Sequence, residues 1–284
     1  MKIVIGTAQF GSNYGIANSG GKVSADEVRK IIDFAESKGI ETLDTAIAYG
    51  ESEKILGEIG VASWKIISKL PEVNTNRAIN QSVRELFKTT LDNLKIDKLD
   101  GLLLHRPEQL FTSEGESLYR ALDKLKSDCR LKKIGVSIYH PDELEKILDS
   151  YDMDIVQAPF NLIDRRILTG DWIAKLKKRG IELHVRSVFL QGLLLMAMDQ
   201  RPAKFNKWSK LWNDYDQWLR NSGLTALQAC LRYVFSVPEV DKIIVGIDCL
   251  EHLEEIVAAI RGTLPTVPQN ISCTDLDLVN PVNW

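Results

Sequence analysis

Four residues in the first half of the chain could do acid–base chemistry as one set. The stretch "LDTAIAYGESEKILG" places Asp44 and, five positions on, Tyr49, while Lys69 closes "KIISK" and His105 closes "LDGLLLH". A turn does not require a phenol, so packing alone accounts poorly for Tyr49 on the lip between a buried strand and a helix. A free tyrosine titrates near ~10, far from neutral pH, and a cation within roughly 4–6 Å lowers an acid's pKa. Tyrosine beside lysine is therefore a general acid with a tuned driving force. Asp44 would hold Lys69 charged and oriented, and His105 would donate where negative charge grows on an oxygen. Singly, each residue has an ordinary reading: Asp44 as a helix cap, Lys69 as a solvated lysine, His105 as a hydrogen-bonded structural histidine, Tyr49 as core with its hydroxyl satisfied. Those four roles would have to coincide at the ends of three successive strands, and the joint reading is preferred.

The elements that must position this set alternate strictly. Short β-branched runs predict strands at 2–7, 41–45, 65–69, 99–105, 132–137, 154–159, 181–187 and 242–247. Helical patterns with apolar residues at three-to-four spacing fill the gaps, at 24–39, 77–95, 140–150, 224–236 and 249–262. The first has Ser24 as N-cap, Glu27 completing a capping box, and Gly39 as its stop. Eight βα units predict an all-parallel sheet closed into a (β/α)8 TIM barrel, whose active site forms at the C-terminal strand ends. An open doubly wound sheet is the rival, but no G-x-G-x-x-G follows the first strand. The aromatic-rich stretch 196–221 reads as an added helix before the eighth unit, and the tail from Pro265 as a wrap around the barrel. The whole chain, 1–284, reads as a single domain.

Bulk properties exclude several classes. With 44% hydrophobic and 26% charged residues, the 284-residue chain is globular and long enough to bury a large core. A net charge of −3 without a Lys/Arg block gives no nucleic-acid surface. "MKIVIGTAQF" enters a strand directly, and "SVFLQGLLLMAM" is too short to span a bilayer, so the cytoplasm is the expected compartment and no membrane partner is expected. Four scattered cysteines lack C-x-x-C spacing, so neither a zinc site nor a disulfide framework is expected.

The tetrad and its order resemble the aldo-keto reductases over nearly the whole chain. The resemblance is carried by "GTAQFG", "LDTAIAYGESEKILG", "SKL" at 68–70, "LLLHRP", "IGVSIYHPDEL", "VQAPFNLIDRR", "SVFLQGLL" and "IIVGIDCLEHLEEI". The opening "GTAQFGSNYGIAN" is similar to a bacterial subgroup associated with carbohydrate and surface-polysaccharide metabolism. The resemblance implies reduction of an aldehyde or ketone, of which a sugar or sugar-nucleotide carbonyl is one expectation. No side chain supplies hydride, so a nicotinamide cofactor, NADPH or NADH, must. The positions implied to hold it are Thr7, Ser137, Gln157, Ser187, Phe189, Gly192, Gly246, Asp248 and Glu255.

Several positions depart from the family pattern. Ile138 stands where an asparagine normally grips the nicotinamide carboxamide, with Asn161 as a candidate substitute. Arg186 stands at the usual ring-stacking tyrosine, so either Arg186 or Phe189 covers the ring. Asp248 and Cys249 follow strand eight where NADPH-preferring members set cations, and Ile256 replaces an asparagine. An acid repels a doubly charged 2′-phosphate but accepts a bond from a ribose 2′-hydroxyl, so weak NADPH selectivity is expected. The helix starting near Cys249 still offers its dipole to a phosphate.

Other residues have competing readings. Arg106 could meet an anionic substrate group or form a rim salt bridge, and Tyr14 could line the pocket or pack its loop. Trp172, Trp208, Trp212 and Trp218 read as helix-to-barrel packing, and His140, His184 and His252 as structural. Two further functions stand beside the reductase: a non-catalytic nicotinamide-binding or regulatory barrel, and a cofactor-retaining epimerase on the same scaffold.

Overall fold

The computed structural model describes residues 1–74 and 78–284. Eight parallel strands close into a barrel in sequence order: β1 (Ile3–Gly6), β2 (Thr42–Asp44), β3 (Lys65–Leu70), β4 (Leu99–Leu104), β5 (Leu131–Ser137), β6 (Ile155–Pro159), β7 (Glu182–Arg186) and β8 (Lys242–Gly246). β8 pairs back to β1 through Ile3 and Ile243. Each strand ends within one residue of its sequence expectation. Strands such as β1 and β6 are buried at every position, as expected of a sheet filled inside and covered by helices outside.

The helices are α1 (Ala8–Gly11), α2 (Ala25–Ser37), α3 (Ser52–Ile59), α4 (Ile79–Leu94), α5 (Gly115–Ser127), α6 (Glu143–Ser150), α7 (Trp172–Lys178), α8 (Ser209–Ser222), α9 (Ala226–Phe235), α10 (Leu250–Ala259) and α11 (Leu276–Val279). α2 buries Val28, Ile31, Ile32 and Ala35, one stripe at helical spacing. Ser24 caps it, accepting from Glu27 N at 3.3 Å. The expected capping box does not form, however: the Glu27 carboxylate accepts from Leu250 N at 2.8 Å, because Cys249 leaves the first N–H of α10 without a side-chain cap. The helix expected from Arg77 begins at Ile79 in the structure, and Arg77 itself lies outside the described residues. α6 starts three residues later than expected, because the Glu143 carboxylate turns back to accept from Tyr139 N and His140 N.

α8 is the added helix, held by Trp212 and Tyr215 in the core. The tail packs over it and the loop after β6: Trp218 Nε1 donates to Thr266 O at 3.1 Å, and Cys273 N to Ile163 O at 3.0 Å. None of the four tryptophans lines the main cleft. Among the described residues no helix is long and apolar enough to cross a membrane.

Strand periodicity explains how the barrel aims its functional side chains. Ile67, Leu103 and Ile155 form an apolar cluster inside the barrel. Alternate residues share a face, so Lys69, His105 and Gln157, each two positions further on, form the next layer toward the C-terminal rim. Tyr49 reaches that layer from the β2–α3 turn, which is clamped by α1. A Cβ at Gly11 would fall 1.6 Å from Tyr49 O, and one at Gly50 (φ +58) would fall 2.4 Å from Gly11 O. The glycine ending "GTAQFG" thus exists to let the tyrosine turn sit down. Gly11→Ala is expected to lower unfolding free energy by about 1–3 kcal/mol; an unchanged denaturant midpoint would contradict this packing.

Candidate active site

The C-terminal rim opens into a cleft of about 640 Å³, within the size range of small-molecule sites. Asp44, Tyr49 and His105 line its inner end. Lys69 lies directly behind them, 1% exposed, with Asp44 3% exposed. The Lys69 ammonium donates to Asp44 Oδ1 and, at 2.9 Å, to Thr45 O. It also sits 4.9 Å from the centre of the Tyr49 ring, and the Tyr49 and His105 rings meet edge to face at 6.1 Å. The structure therefore brings all four tetrad residues to one place.

The second carboxylate oxygen of Asp44 is also held. Gln157 Nε2 donates to Asp44 Oδ2 at 2.7 Å, and Ser137 Oγ donates to Gln157 Oε1 at 3.1 Å. Ser137 and Gln157 are register partners on β5 and β6, which is why their side chains meet. Thr7 adds a further support: its hydroxyl donates to Asp44 O at 3.1 Å and accepts from Ser52 Oγ at 2.7 Å. Behind this layer Glu53, buried on α3, accepts from Ser68 Oγ at 2.7 Å, and burial pushes its carboxyl up.

Charge states follow from these surroundings. Burial alone would push Lys69 down, but the charge of Asp44 and the Tyr49 phenol outweigh it and hold the amine above the ordinary lysine value. It is an ammonium at neutral pH. His105 goes the other way: burial, then the charges of Lys69 and Arg186, push it from 6.5 to about 4. It is a neutral imidazole at pH 7, with one N–H to donate.

All nine positions expected to hold the cofactor line the same cleft: Thr7, Ser137, Gln157, Ser187, Phe189 and Gly192 toward the tetrad side and the β7 loop, and Gly246, Asp248 and Glu255 beyond β8. Tyr14 lines it too, its hydroxyl accepting from Gln191 Nε2 at 3.4 Å. Asn161 does not replace the missing asparagine. Its carboxamide is already engaged, accepting from Ile163 N and Asp164 N in its own loop and donating to Ser187 O after β7. Ile138 is buried outside the cleft. Arg106 is on the exposed rim, 3.8 Å from Glu108. His140 and His184 stay outside the cleft, each beside an acid. His252 does not: it lines the outer end, 3.7 Å from Asp248, which raises its pKa.

Tyr139, Gln9, Asn18 and Thr225 also line the cleft and were not singled out in the sequence. Tyr139 had a findable signal, since it sits two residues after Ser137 at the close of a strand. Gln9 comes from the short α1, and Asn18 and Thr225 from connecting segments, the first of which is placed by a distant partner, Ala17 N donating to Gln191 O.

The sequence profile described as "Aldo/keto reductase family" matches residues 2–268. The NADH-specific methylglyoxal reductase of Escherichia coli is 24% identical over 265 residues, 80% of each chain. The glyoxal reductase of Bacillus subtilis is 27% identical over 191 residues, 65% of this chain and 67% of that one. An aldo-keto reductase structure from Bacillus halodurans superposes with a TM-score of 0.73 at 18% identity, covering 95% of this chain and 90% of that one, and shares the fold.

The His105 environment makes a measurable claim. Folded, the imidazole titrates near 4 against 6.5 unperturbed, so between those values the unfolded chain binds the extra proton. Its contribution to stability is complete above pH 6.5, declines as pH falls, and is gone below about 4. NMR titration should place the His105 midpoint near 4, and Lys69→Met should raise it. A wild-type midpoint at 6.5 would contradict the charge arrangement.

Proposed function

The chain belongs to the aldo/keto reductase family, and from that premise we propose that it reduces an aldehyde or ketone to an alcohol, with Tyr49 as general acid. The observation that carries the reading is the convergence of a phenol, an aspartate-held ammonium and a neutral imidazole at the inner end of one cleft. The cleft suits a dinucleotide in size and reach, since it runs without interruption from the tetrad to the residues after β8. Ser137 and Gln157 would hold the nicotinamide end, and Gly246, Asp248 and Glu255 the other. Once bound, the cofactor supplies the hydride that no side chain can.

The chain's own residues supply everything at the oxygen. Tyr49 gives its proton to the carbonyl oxygen as charge builds there. Lys69, positive and fixed by Asp44 and Thr45 O, faces the phenolate this leaves and stabilises it. His105 donates its single N–H to the same oxygen and orients the substrate. Because that histidine titrates near 4, its donor role persists across the range where a typical imidazole changes charge. A sugar or sugar-nucleotide carbonyl is the narrower substrate proposal, resting on the opening motif.

For the cofactor we propose weak NADPH selectivity, with NADH accepted or preferred. Asp248 and Glu255 line the outer end, and the Glu27 carboxylate occupies the first N–H of α10, where a phosphate would otherwise find the helix dipole. His252, whose pKa Asp248 raises, offsets part of that negative charge when protonated.

Two measurements test these assignments. Tyr49→Phe should lower aldehyde reduction by about 10²–10⁴-fold while NADH still quenches or enhances fluorescence on binding; undiminished turnover would remove the tyrosine from its role. Initial rates with both cofactors should give a kcat/KM preference for NADPH well under a hundredfold, and a larger one would refute the reading of the outer end.

A further inference from the structure

Arg186 is a charged side chain in the cleft that, among the described residues, forms no ion pair. It closes β7 two residues after His184, the register partner of the cleft-lining Gln157, so it shares that inward face and lines the barrel mouth. Nη2 donates to Ile138 O at 2.9 Å, Nη1 to Ser187 Oγ at 3.2 Å, and the guanidinium lies 4.6 Å from the centre of the Tyr139 ring. Those two bonds use two of five N–H donors. Other shielded arginines of this chain behave differently. Arg166 and Arg201, 5% and 9% exposed, each grip an aspartate through two nitrogens, Asp164 and Asp216 respectively.

The inner cleft therefore carries a net positive charge that its own residues do not cancel. Lys69 is matched by Asp44, whereas Arg186 is unmatched, and His105 feels the charge of both cations. The other acids lining the cleft, Asp248 and Glu255, stand at the opposite end beyond β8. We propose that Arg186 anchors an anionic group, a carboxylate or a phosphate, carried by the carbonyl substrate. A guanidinium fork fits both groups with paired hydrogen bonds. The Tyr139 stack and the Ile138 carbonyl hold the fork in place before anything binds, so little side-chain freedom is lost on binding. The split of charge along the cleft draws the acidic end of a substrate inward, toward His105 and Tyr49. The inference rests on the reductase reading and narrows its substrate class; it gives Arg186 the task the sequence had offered to Arg106, which is at the rim beside Glu108.

The test uses matched pairs: benzaldehyde with 4-carboxybenzaldehyde, and glyceraldehyde with glyceraldehyde 3-phosphate. Wild-type protein should prefer the anionic member of at least one pair by about tenfold or more in kcat/KM, expressed mainly in KM. The pair that shows it identifies carboxylate or phosphate. Arg186→Gln should collapse the preference and Arg186→Lys should retain part of it. Raising salt should raise KM for the anionic member and not for the neutral one; this series on wild type decides the matter should Arg186→Gln fail to fold. Reduction of neutral aldehydes with no anionic preference overturns the inference and leaves the reductase reading standing. A weakened NADH affinity in Arg186→Gln with the substrate preference intact also overturns it, by assigning the guanidinium to the cofactor. Wild-type protein that binds neither NADH nor NADPH removes the reductase reading, and this inference with it.

Discussion

The structure is organised around a lysine ammonium and an aspartate carboxylate sealed together at the top of the barrel. Removing two such charges from water costs several kcal/mol per ion, and their attraction offsets this only when every remaining polar atom is also satisfied. Here it is: Asp44 accepts from Lys69 on one oxygen and Gln157 on the other, and Lys69 also donates to Thr45 O. Three strands, β2, β3 and β6, must end at matching heights for that network to close. The barrel supplies this matching through its register, and the apolar layer of Ile67, Leu103 and Ile155 supplies the floor beneath it.

The same pair sets the electrostatics of the mouth. Burial first, and then the Lys69 ammonium, keep the neighbouring histidine neutral, and the same ammonium, its pKa raised by Asp44, gives the phenol a positive neighbour. Tyr49 is not on a strand, so its position is held differently, by the backbone-to-backbone contact between Gly11 and its turn. One cation is neutralised inside the protein and one is not, while acids gather past β8. The cleft is thus polarised along its length by side chains from β2, β3, β7, α10 and the segment leading into α10.

Much of this was readable in the sequence because it is written in local periodicity. Continuous apolar runs gave all eight strands within a residue of their ends, and knowing where strands end gave Asp44, Lys69 and His105. What sequence did not show are bonds between distant segments. Gln157 was expected to face a nicotinamide, and nothing local reveals that its amide also meets Asp44, 113 positions away. Glu27 had the spacing of a capping box, yet a free N–H on α10, 223 positions away, competes for its carboxylate. Asn161 had the right chemistry to replace a missing amide, but its own loop uses it. His252 had no partner at metal-ligand spacing, and its place in the cleft follows only from how α10 packs.

The most direct test of the central pair is a double-mutant cycle on unfolding free energy with Asp44→Asn, Lys69→Met and the two combined. Each single change strands a buried charge, so the double variant should be less destabilised than the sum of the singles, by a coupling of about 1 kcal/mol or more. Additivity within about 0.5 kcal/mol would mean that the two groups do not depend on each other, and the account built on them would be wrong.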